Sequence, residues 1–183
     1  MTYTVHTIES APPASAEVLK GVKSSIGFVP NLFGVFAEVP ALAKAYTTLS
    51  GLFEQTSLTP TERQTVLLTV SYENDCEYCV AAHSVIATMQ KVDDGVVRAI
   101  RDGKPIADPK LEALRRFTAV IVSTRGRPTP ADVEAFERAG YSHAHALEVV
   151  LGVGFKSLSN YTNHLADTPL DQAFAKAAWS KAA

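Results

Sequence analysis

The sequence predicts an all-α fold, and three observations lead to this prediction. Helix-start signals recur along the chain, the clearest being T-P-T-E at 59–62, in which threonine caps, proline begins the helix and glutamate completes a capping box. Apolar residues recur at helical spacing, as in V-L-L-T-V at 66–70. No stretch shows a convincing alternation of apolar and polar residues, the pattern of a β-strand. About eight to ten helices are therefore expected.

Most of the predicted helices begin at a capping signal or end at a residue that breaks a helix. Val39-Pro40 and Asp108-Pro109 resemble helix starts, and T-P-A-D at 129–132 nearly repeats the first capping box. Glycines stand where three helices should end, at Gly27, Gly103 and Gly140. The predicted helices lie near 14–26, 40–54, 60–73, 76–90, 93–102, 109–124, 130–139, 142–165 and 171–181, with a short turn near 30–37.

Length and composition fit one domain, residues 1–183, that buries a real core. The chain has 183 residues, of which 46% are apolar, and no linker or low-complexity tract divides it. Its net charge of -2 gives no electrostatic reason to expect nucleic acid or an anionic membrane as a partner. The N-terminus has neither a basic start nor an apolar core, so a secretory signal is not expected. These properties predict a cytoplasmic protein.

The only two cysteines occur in E-N-D-C-E-Y-C-V-A-A-H-S, residues 73–84. With Asp75 as N-cap, Cys76 would take the first position of a helix and Cys79 the fourth, with His83 one turn later. At about 100° per residue these three side chains fall within a sector of roughly 60° and face one cleft. A helix N-terminus favours thiolate, and His83 lies at the spacing that couples it to Cys79. Cys76 is nearer the helix start, so the identity of the thiolate stays open.

Two other interpretations of the segment are weaker. Zinc requires four ligands in a structural site, and C-x2-C-x3-H supplies three, so a distant histidine or acid would have to complete it. In the second interpretation both cysteines are small core residues, and His83 is a helix residue whose hydrogen bonds are made within the fold. A permanent disulfide does not suit a reducing compartment, whereas a CxxC pair there is more often redox-active.

The run L-T-P-T-E-R-Q-T-V-L-L-T-V-S-Y-E-N-D-C-E-Y-C-V-A-A-H-S resembles the core of the carboxymuconolactone decarboxylase superfamily. More closely it is similar to the alkylhydroperoxidase AhpD-like branch, including its peroxidase-related members. The similarity is dense over residues 58–90, and the tail Y-T-N-H-L-A-D-T-P-L-D at 161–171 also looks like the peroxidase-related group.

The resemblance implies an AhpD-like helical fold, assembly into a homo-oligomer (trimer or hexamer), and a thiol peroxidase with antioxidant activity. It assigns Cys79 as the cysteine that attacks the hydroperoxide, Cys76 as the one that closes the disulfide, and His83 to a proton relay. A dithiol protein partner would then reduce the disulfide. No metal, haem or flavin cofactor is implied.

Two positions depart from the family pattern. The relay usually includes a glutamate where this chain has Gln64, an amide that can orient a water or His83 but cannot exchange a proton. Gln64 is therefore a fourth candidate site residue, while Glu62 is explained by the capping box and Glu73 by a solvated helix end. Tyr78 replaces a histidine found in some members and is expected to pack between helices.

Other chemistry-bearing residues are expected to be structural. His143, His145 and His164 suit the first and last turns of one long helix. Close helix–helix approach is the simplest reason for Gly152 and Gly154 in that helix. Core packing is favoured over a role in an apolar substrate entrance for four phenylalanines: Phe28, Phe33, Phe36 and Phe53.

Three functional hypotheses follow. The first is a peroxidase for hydrogen peroxide or small organic hydroperoxides that uses the dithiol and His83. The second is a decarboxylase-like lyase, whose chemistry does not need the CxxC pair. The third is a non-catalytic oligomer whose disulfide responds to redox conditions.

Overall fold

The computed structural model describes residues 2–181, and every regular element in that range is helical. The α-helices are α1 (Pro13–Ile26), α2 (Asn31–Phe36), α3 (Pro40–Glu54), α4 (Pro60–Glu73), α5 (Glu77–Met89), α6 (Asp94–Arg101), α7 (Pro109–Ser123), α8 (Pro130–Arg138) and α9 (His143–Ala166). A 3₁₀ helix, Gln172–Ala177, follows α9. The predicted all-α fold is confirmed.

The predicted helix boundaries follow from local capping chemistry. Thr59 and Thr129 each form a reciprocal capping box, with Glu62 and Asp132 respectively, and proline takes the first position of both helices. The predicted glycines adopt the left-handed backbone that ends a helix, with φ of 92° at Gly27, 64° at Gly103 and 93° at Gly140. Short-range signals therefore explain most of the segmentation.

Two segments differ from the expectation. The turn near 30–37 contains the short helix α2, whose first turn begins at Pro30. The segment expected as a helix at 171–181 is a 3₁₀ helix that ends at Ala177. The chain beyond it is fixed instead by tertiary contacts, because Trp179 Nε1 donates to the Arg101 carbonyl at 2.9 Å.

Helix α4 lies at the centre of the fold and packs against α5, α6, α7 and α9. Almost all of its inward positions are apolar or small, and Val66, Leu68 and Val70 are completely buried. The larger core joins α4 to α3, α7 and α9, and a smaller one joins α4 and α5 to α6. Helices α4 and α5, which adjoin and carry the thiol motif, are therefore held rigidly by packing on several sides.

Gly152 explains how closely α9 approaches α3 and α4. A Cβ atom at Gly152 would lie 2.8 Å from Val66 Cγ1 and 2.9 Å from Phe53 Cε2, so the predicted close approach is confirmed there. The same prediction is wrong for Gly154: a Cβ atom there would meet nothing within 4 Å, so no other helix among residues 2–181 approaches it closely.

We expect Gly152→Ala to lower the free energy of unfolding by about 1–3 kcal/mol, because the overpacking exceeds the gain in helix propensity. Gly51→Ala is the matched control: a Cβ atom at Gly51, also inside a helix, meets nothing within 4 Å. The control should gain roughly 0.5–1 kcal/mol. Urea denaturation measures both, and equal stabilisation by the two variants would contradict the close contact.

Within residues 2–181, no helix is both long enough and apolar enough to cross a membrane.

Candidate active site

The turn between α4 and α5 positions the first cysteine. Asp75 adopts a left-handed backbone with φ of 53°, which aspartate tolerates better than most residues, and its carboxylate pairs with Lys181 at 2.8 Å. The prediction that Asp75 is the N-cap is wrong: Cys76 is the N-cap of α5. Cys79 consequently lies at the third helical position, still within the first turn, where unpaired backbone N–H groups favour an anion.

Both cysteines are free thiols buried between α5 and α9. The Asn163 amide donates to Cys79 Sγ at 3.2 Å and makes a longer contact of 3.8 Å with Cys76 Sγ. The Ser159 hydroxyl lies 3.8 Å from Cys79 Sγ. Helix α9 thus supplies the polar groups that surround the two sulfur atoms.

Lys156 is the main site residue that the sequence analysis did not select. It lies on the buried face of α9 and is only 1% exposed, although lysine is rarely buried without a partner. The Cys79 sulfur is that partner, together with the Tyr46 hydroxyl nearby. A signal was present in the sequence, since Lys156 falls at helical spacing with Val149, Gly152 and Asn163 on the inward stripe.

The environment gives the two thiols different acidities. Burial by itself raises the pKa of Cys79, but the hydrogen bond from Cys76, the charge of Lys156 and the contacts with Ser159 and Asn160 together hold that pKa well below its usual value. The pKa of Cys76 is raised, first because its thiol donates to Cys79 and then because it is buried. These surroundings favour the thiolate at Cys79 and the neutral thiol at Cys76.

His83 lies on α5 one turn after Cys79 and is neutral. Burial lowers its pKa well below the usual value, and the nearby charge of Lys156 lowers it further. His83 Nδ1 lies 2.9 Å from Gln64 Oε1, and Gln64 Nε2 donates to Gln90 Oε1 at 3.1 Å. Since an amide oxygen only accepts, Nδ1 carries the proton and Nε2 is left as an acceptor.

The four predicted site residues are thus brought together, with Gln64 acting on His83. In the described chain, neither alternative glutamate hydrogen-bonds to His83. Glu62 binds Thr59 and the Tyr141 hydroxyl at the start of α4, and Glu73 lies at the other end of that helix.

Tyr78 packs as predicted but also carries a hydrogen bond. Its ring meets Phe174 edge to face at 6.0 Å. Its hydroxyl donates to the Asp171 carboxylate, which also accepts the Asn31 backbone N–H at 3.1 Å. Tyr78 therefore joins α5 to α2 and to the segment after α9.

An apolar cavity of about 570 Å³ opens beside Cys79. Cys79, His83 and Lys156 line its inner end, and apolar side chains line the rest, among them Phe28, Phe33, Ile86 and Phe174. Phe36 and Phe53 are instead fully buried in the core. Core packing is therefore confirmed for these two, whereas Phe28 and Phe33 line the cavity.

The remaining histidines lie outside this cavity. His143 is exposed and pairs with Glu137, and His145 completes the capping box of Ser142. His164 lines a separate surface cleft. Among residues 2–181, no group of three histidine, cysteine or acidic side chains is arranged to hold a metal ion.

Comparison with known proteins finds a family whose sequence pattern matches the segment that carries the thiols. Residues 40–119, which span α3 to most of α7 and include both cysteines, His83 and Gln64, match the model of the carboxymuconolactone decarboxylase family. The segment that carries the thiol motif is therefore similar in sequence to this family. Its α9, with Lys156 and Asn163, lies beyond the matched segment.

Solved structures show that the fold is AhpD-like. A peroxidase-related protein from Ralstonia eutropha JMP134, described as an alkylhydroperoxidase AhpD core, superposes with a TM-score of 0.83 at 24% identity over 94% of this chain and 93% of its own. A peroxidase-related protein from Silicibacter sp. TM1040 gives 0.78 at 18% identity over 93% of each chain.

A cysteine-to-alanine variant of the debrominase Bmp8, in complex with 2,3,4-tribromopyrrole, also shares the fold, with a TM-score of 0.78 at 21% identity over 97% of this chain and 95% of its own. Among curated proteins, none matches the sequence significantly.

Proposed function

We propose that the protein is a thiol-dependent peroxidase that reduces organic hydroperoxides. The observation that carries the proposal is the position of the Cys79 thiolate: it opens on an apolar cavity, with the Cys76 thiol and neutral His83 beside it. A thiolate is the nucleophilic form of cysteine, and a second thiol within reach stops its oxidation product at a reversible disulfide.

The first step is attack of Cys79 Sγ on the terminal peroxide oxygen. An S–O bond forms as the O–O bond breaks, and sulfur supplies the electron pair that the departing alkoxide takes. His83 Nε2 accepts the proton of the terminal oxygen and returns it to the alkoxide, which leaves as an alcohol. Gln64 supports this transfer by keeping the His83 proton on Nδ1.

The second step closes the disulfide. Cys76 gives its proton to the Cys79 sulfenate, and the Cys76 sulfur attacks the Cys79 sulfur, forming the S–S bond and displacing hydroxide, which takes a proton from solvent. The two protein thiols have then supplied the two electrons that reduce the hydroperoxide. A dithiol partner protein restores both thiols.

The cavity lining favours an organic hydroperoxide over hydrogen peroxide. Its volume of about 570 Å³ lies within the range of roughly 300–1,000 Å³ typical of small-molecule sites. Apolar side chains dominate the wall, so an alkyl or aryl group gains burial there that hydrogen peroxide does not.

A thiol count tests the proposal. Reduced protein treated anaerobically with one equivalent of cumene hydroperoxide should lose both thiols, release one equivalent of the alcohol, and recover both thiols with excess dithiothreitol. A parallel sample treated with diamide shows that the disulfide can form. Loss of thiols with diamide but not with hydroperoxide would refute the peroxidase proposal.

A second candidate reaction is reductive removal of halogen from a small aromatic ring. The debrominase Bmp8 has this fold and was crystallised with a brominated pyrrole, and the apolar cavity beside Cys79 suits such a ring. Replacing C–Br by C–H would release bromide and a proton while the two thiols close the disulfide. Bromide release from 2,3,4-tribromopyrrole, stoichiometric with thiol loss, tests this candidate.

We also propose that the chain forms a homo-oligomer, a trimer or hexamer, through the outer face of α9. Leu147, Val150, Tyr161 and Leu165 fall within one narrow sector of the helix and are 49–71% exposed. Gly154 lies in the same sector and leaves room for close approach of a second copy. A continuous apolar stripe of this kind is typical of an interface.

Glutamate at both Val150 and Tyr161 should reduce the mass measured by sedimentation, because the interface would have to bury two charges. Leu52→Glu is the control, since Leu52 is as exposed as Val150 and lies on α3. An unchanged mass in the double variant would contradict an interface on α9.

A further inference from the structure

The two sulfur atoms open on different sides of the molecule. Cys79 lines the apolar cavity, whereas Cys76 lines a second cleft of about 580 Å³ at the C-terminal end of α9. Tyr78 contributes to both walls and separates them. The segment after α9 borders both spaces, with Ala173 on the apolar cavity and Ala178 on the second cleft.

The second cleft contains an unsatisfied hydrogen-bond acceptor beside the thiols. Asn163 lines the cleft and is 5% exposed; its Nδ2 binds the sulfur atoms, but its Oδ1 has no partner. A buried amide oxygen without a partner costs free energy, and a ligand that brings an N–H or S–H donor would relieve this cost. The rim carries the carboxylates of Glu77 and Asp167, and that of Asp75, which is paired with Lys181.

We propose that the second cleft is the entrance for the dithiol group of the reductant, that this group is uncharged or carries a cationic neighbour, and that it attacks Cys76. The inference rests on the proposed dithiol cycle and extends it with a separate route for each half-reaction. Substrate reaches Cys79 through the apolar cavity, and reducing equivalents reach Cys76 through the polar cleft.

The acidity of the two thiols supports this direction of attack. The reductant thiolate forms a bond with Cys76 Sγ as the Cys76–Cys79 bond breaks, and Cys79 leaves as a thiolate. Cys79 is the better leaving group because its surroundings stabilise the anion. The reductant's second thiol then loses its proton and displaces Cys76, which takes up a proton; the reductant leaves as a disulfide.

Two alanines on one segment provide a matched pair of variants. Ala178→Trp narrows the second cleft, and Ala173→Trp narrows the apolar cavity; both alanines are exposed, so folding should tolerate the larger side chain. Stopped flow measures two rates for each variant: oxidation of the reduced protein by cumene hydroperoxide, and reduction of the diamide-made disulfide by dithiothreitol.

Ala178→Trp should slow the reduction rate by about tenfold or more and keep the oxidation rate within about twofold of the wild-type value. Ala173→Trp should slow oxidation by about tenfold or more and keep reduction within about twofold of wild type. Reduction slowed by Ala173→Trp and not by Ala178→Trp would overturn the assignment, as would reduction unaffected by either. Because diamide makes the disulfide without peroxide, the reductive assignment is measured even if the peroxidase proposal fails.

A measurement on the unaltered protein does not depend on the variants. At low ionic strength, 2-mercaptoethylamine should reduce the diamide-made disulfide faster than 3-mercaptopropionate at matched thiolate concentration, and added salt should remove the difference. Equal rates at low salt, or a faster anionic thiol, would refute entry past the acidic rim.

Discussion

Cys79→Ser should abolish the reaction with hydroperoxide, lowering its rate by at least about 10³-fold, because the only thiolate in the site is lost. In the native site the pKa of Cys76 is raised first by its hydrogen bond to Cys79 and then by burial, and the burial persists in the variant. Serine preserves the approximate size of the side chain, so the fold should persist. Loss of free thiols after one equivalent of cumene hydroperoxide measures the effect.

Cys76→Ser is the matched control and should behave differently. Its Cys79 should still react with hydroperoxide, but the sulfenic acid has no resolving thiol and should accumulate until dimedone traps it. The predicted signature is therefore one adduct at Cys79 in this variant and none in Cys79→Ser. Peroxide-dependent oxidation of Cys76 in the Cys79→Ser variant would contradict the assigned roles.

The sequence was sufficient for the helical segments because their boundaries depend on neighbouring residues. A capping box such as that of Thr59 and Glu62 forms within one turn, and Gly27 ends α1 through its own backbone conformation. The CxxC spacing likewise placed Cys76, Cys79 and His83 together, since all three belong to one short stretch at the start of α5. These features could be predicted without the tertiary structure because they depend on residues close together in the sequence.

The contributions of α9 were not predictable in the same way. Lys156 and Asn163 reach the thiols across about 80 residues of chain, and their inward direction depends on how α9 packs against α4 and α5. Asp75 was misassigned for a related reason: its left-handed backbone and its pair with Lys181 replace the capping role that its residue type suggests. Tertiary contact outweighed local preference at these positions.

Lys156→Met should raise the pKa of Cys79 and slow the reaction with hydroperoxide near neutral pH by roughly 10- to 100-fold. Methionine is similar in length and is well tolerated in cores, so the buried volume is kept while the charge is lost. In the wild-type protein Cys79 has a lowered pKa, so its rate should stay constant as pH falls through the ordinary thiol range. The variant should lose rate within that range and recover it at alkaline pH.

The pH profile separates an electrostatic role from a structural one. A packing defect would lower the rate at every pH, whereas a raised thiolate pKa moves the profile to higher pH and leaves its plateau nearly unchanged. Lys44→Met removes a charge from an exposed site on α3 and should leave the profile where it is. Ultraviolet absorbance of the thiolate gives the pKa of Cys79 directly. An unchanged pKa in Lys156→Met would contradict the prediction, because the hydrogen bonds to Cys79 would then lower its pKa without the buried cation.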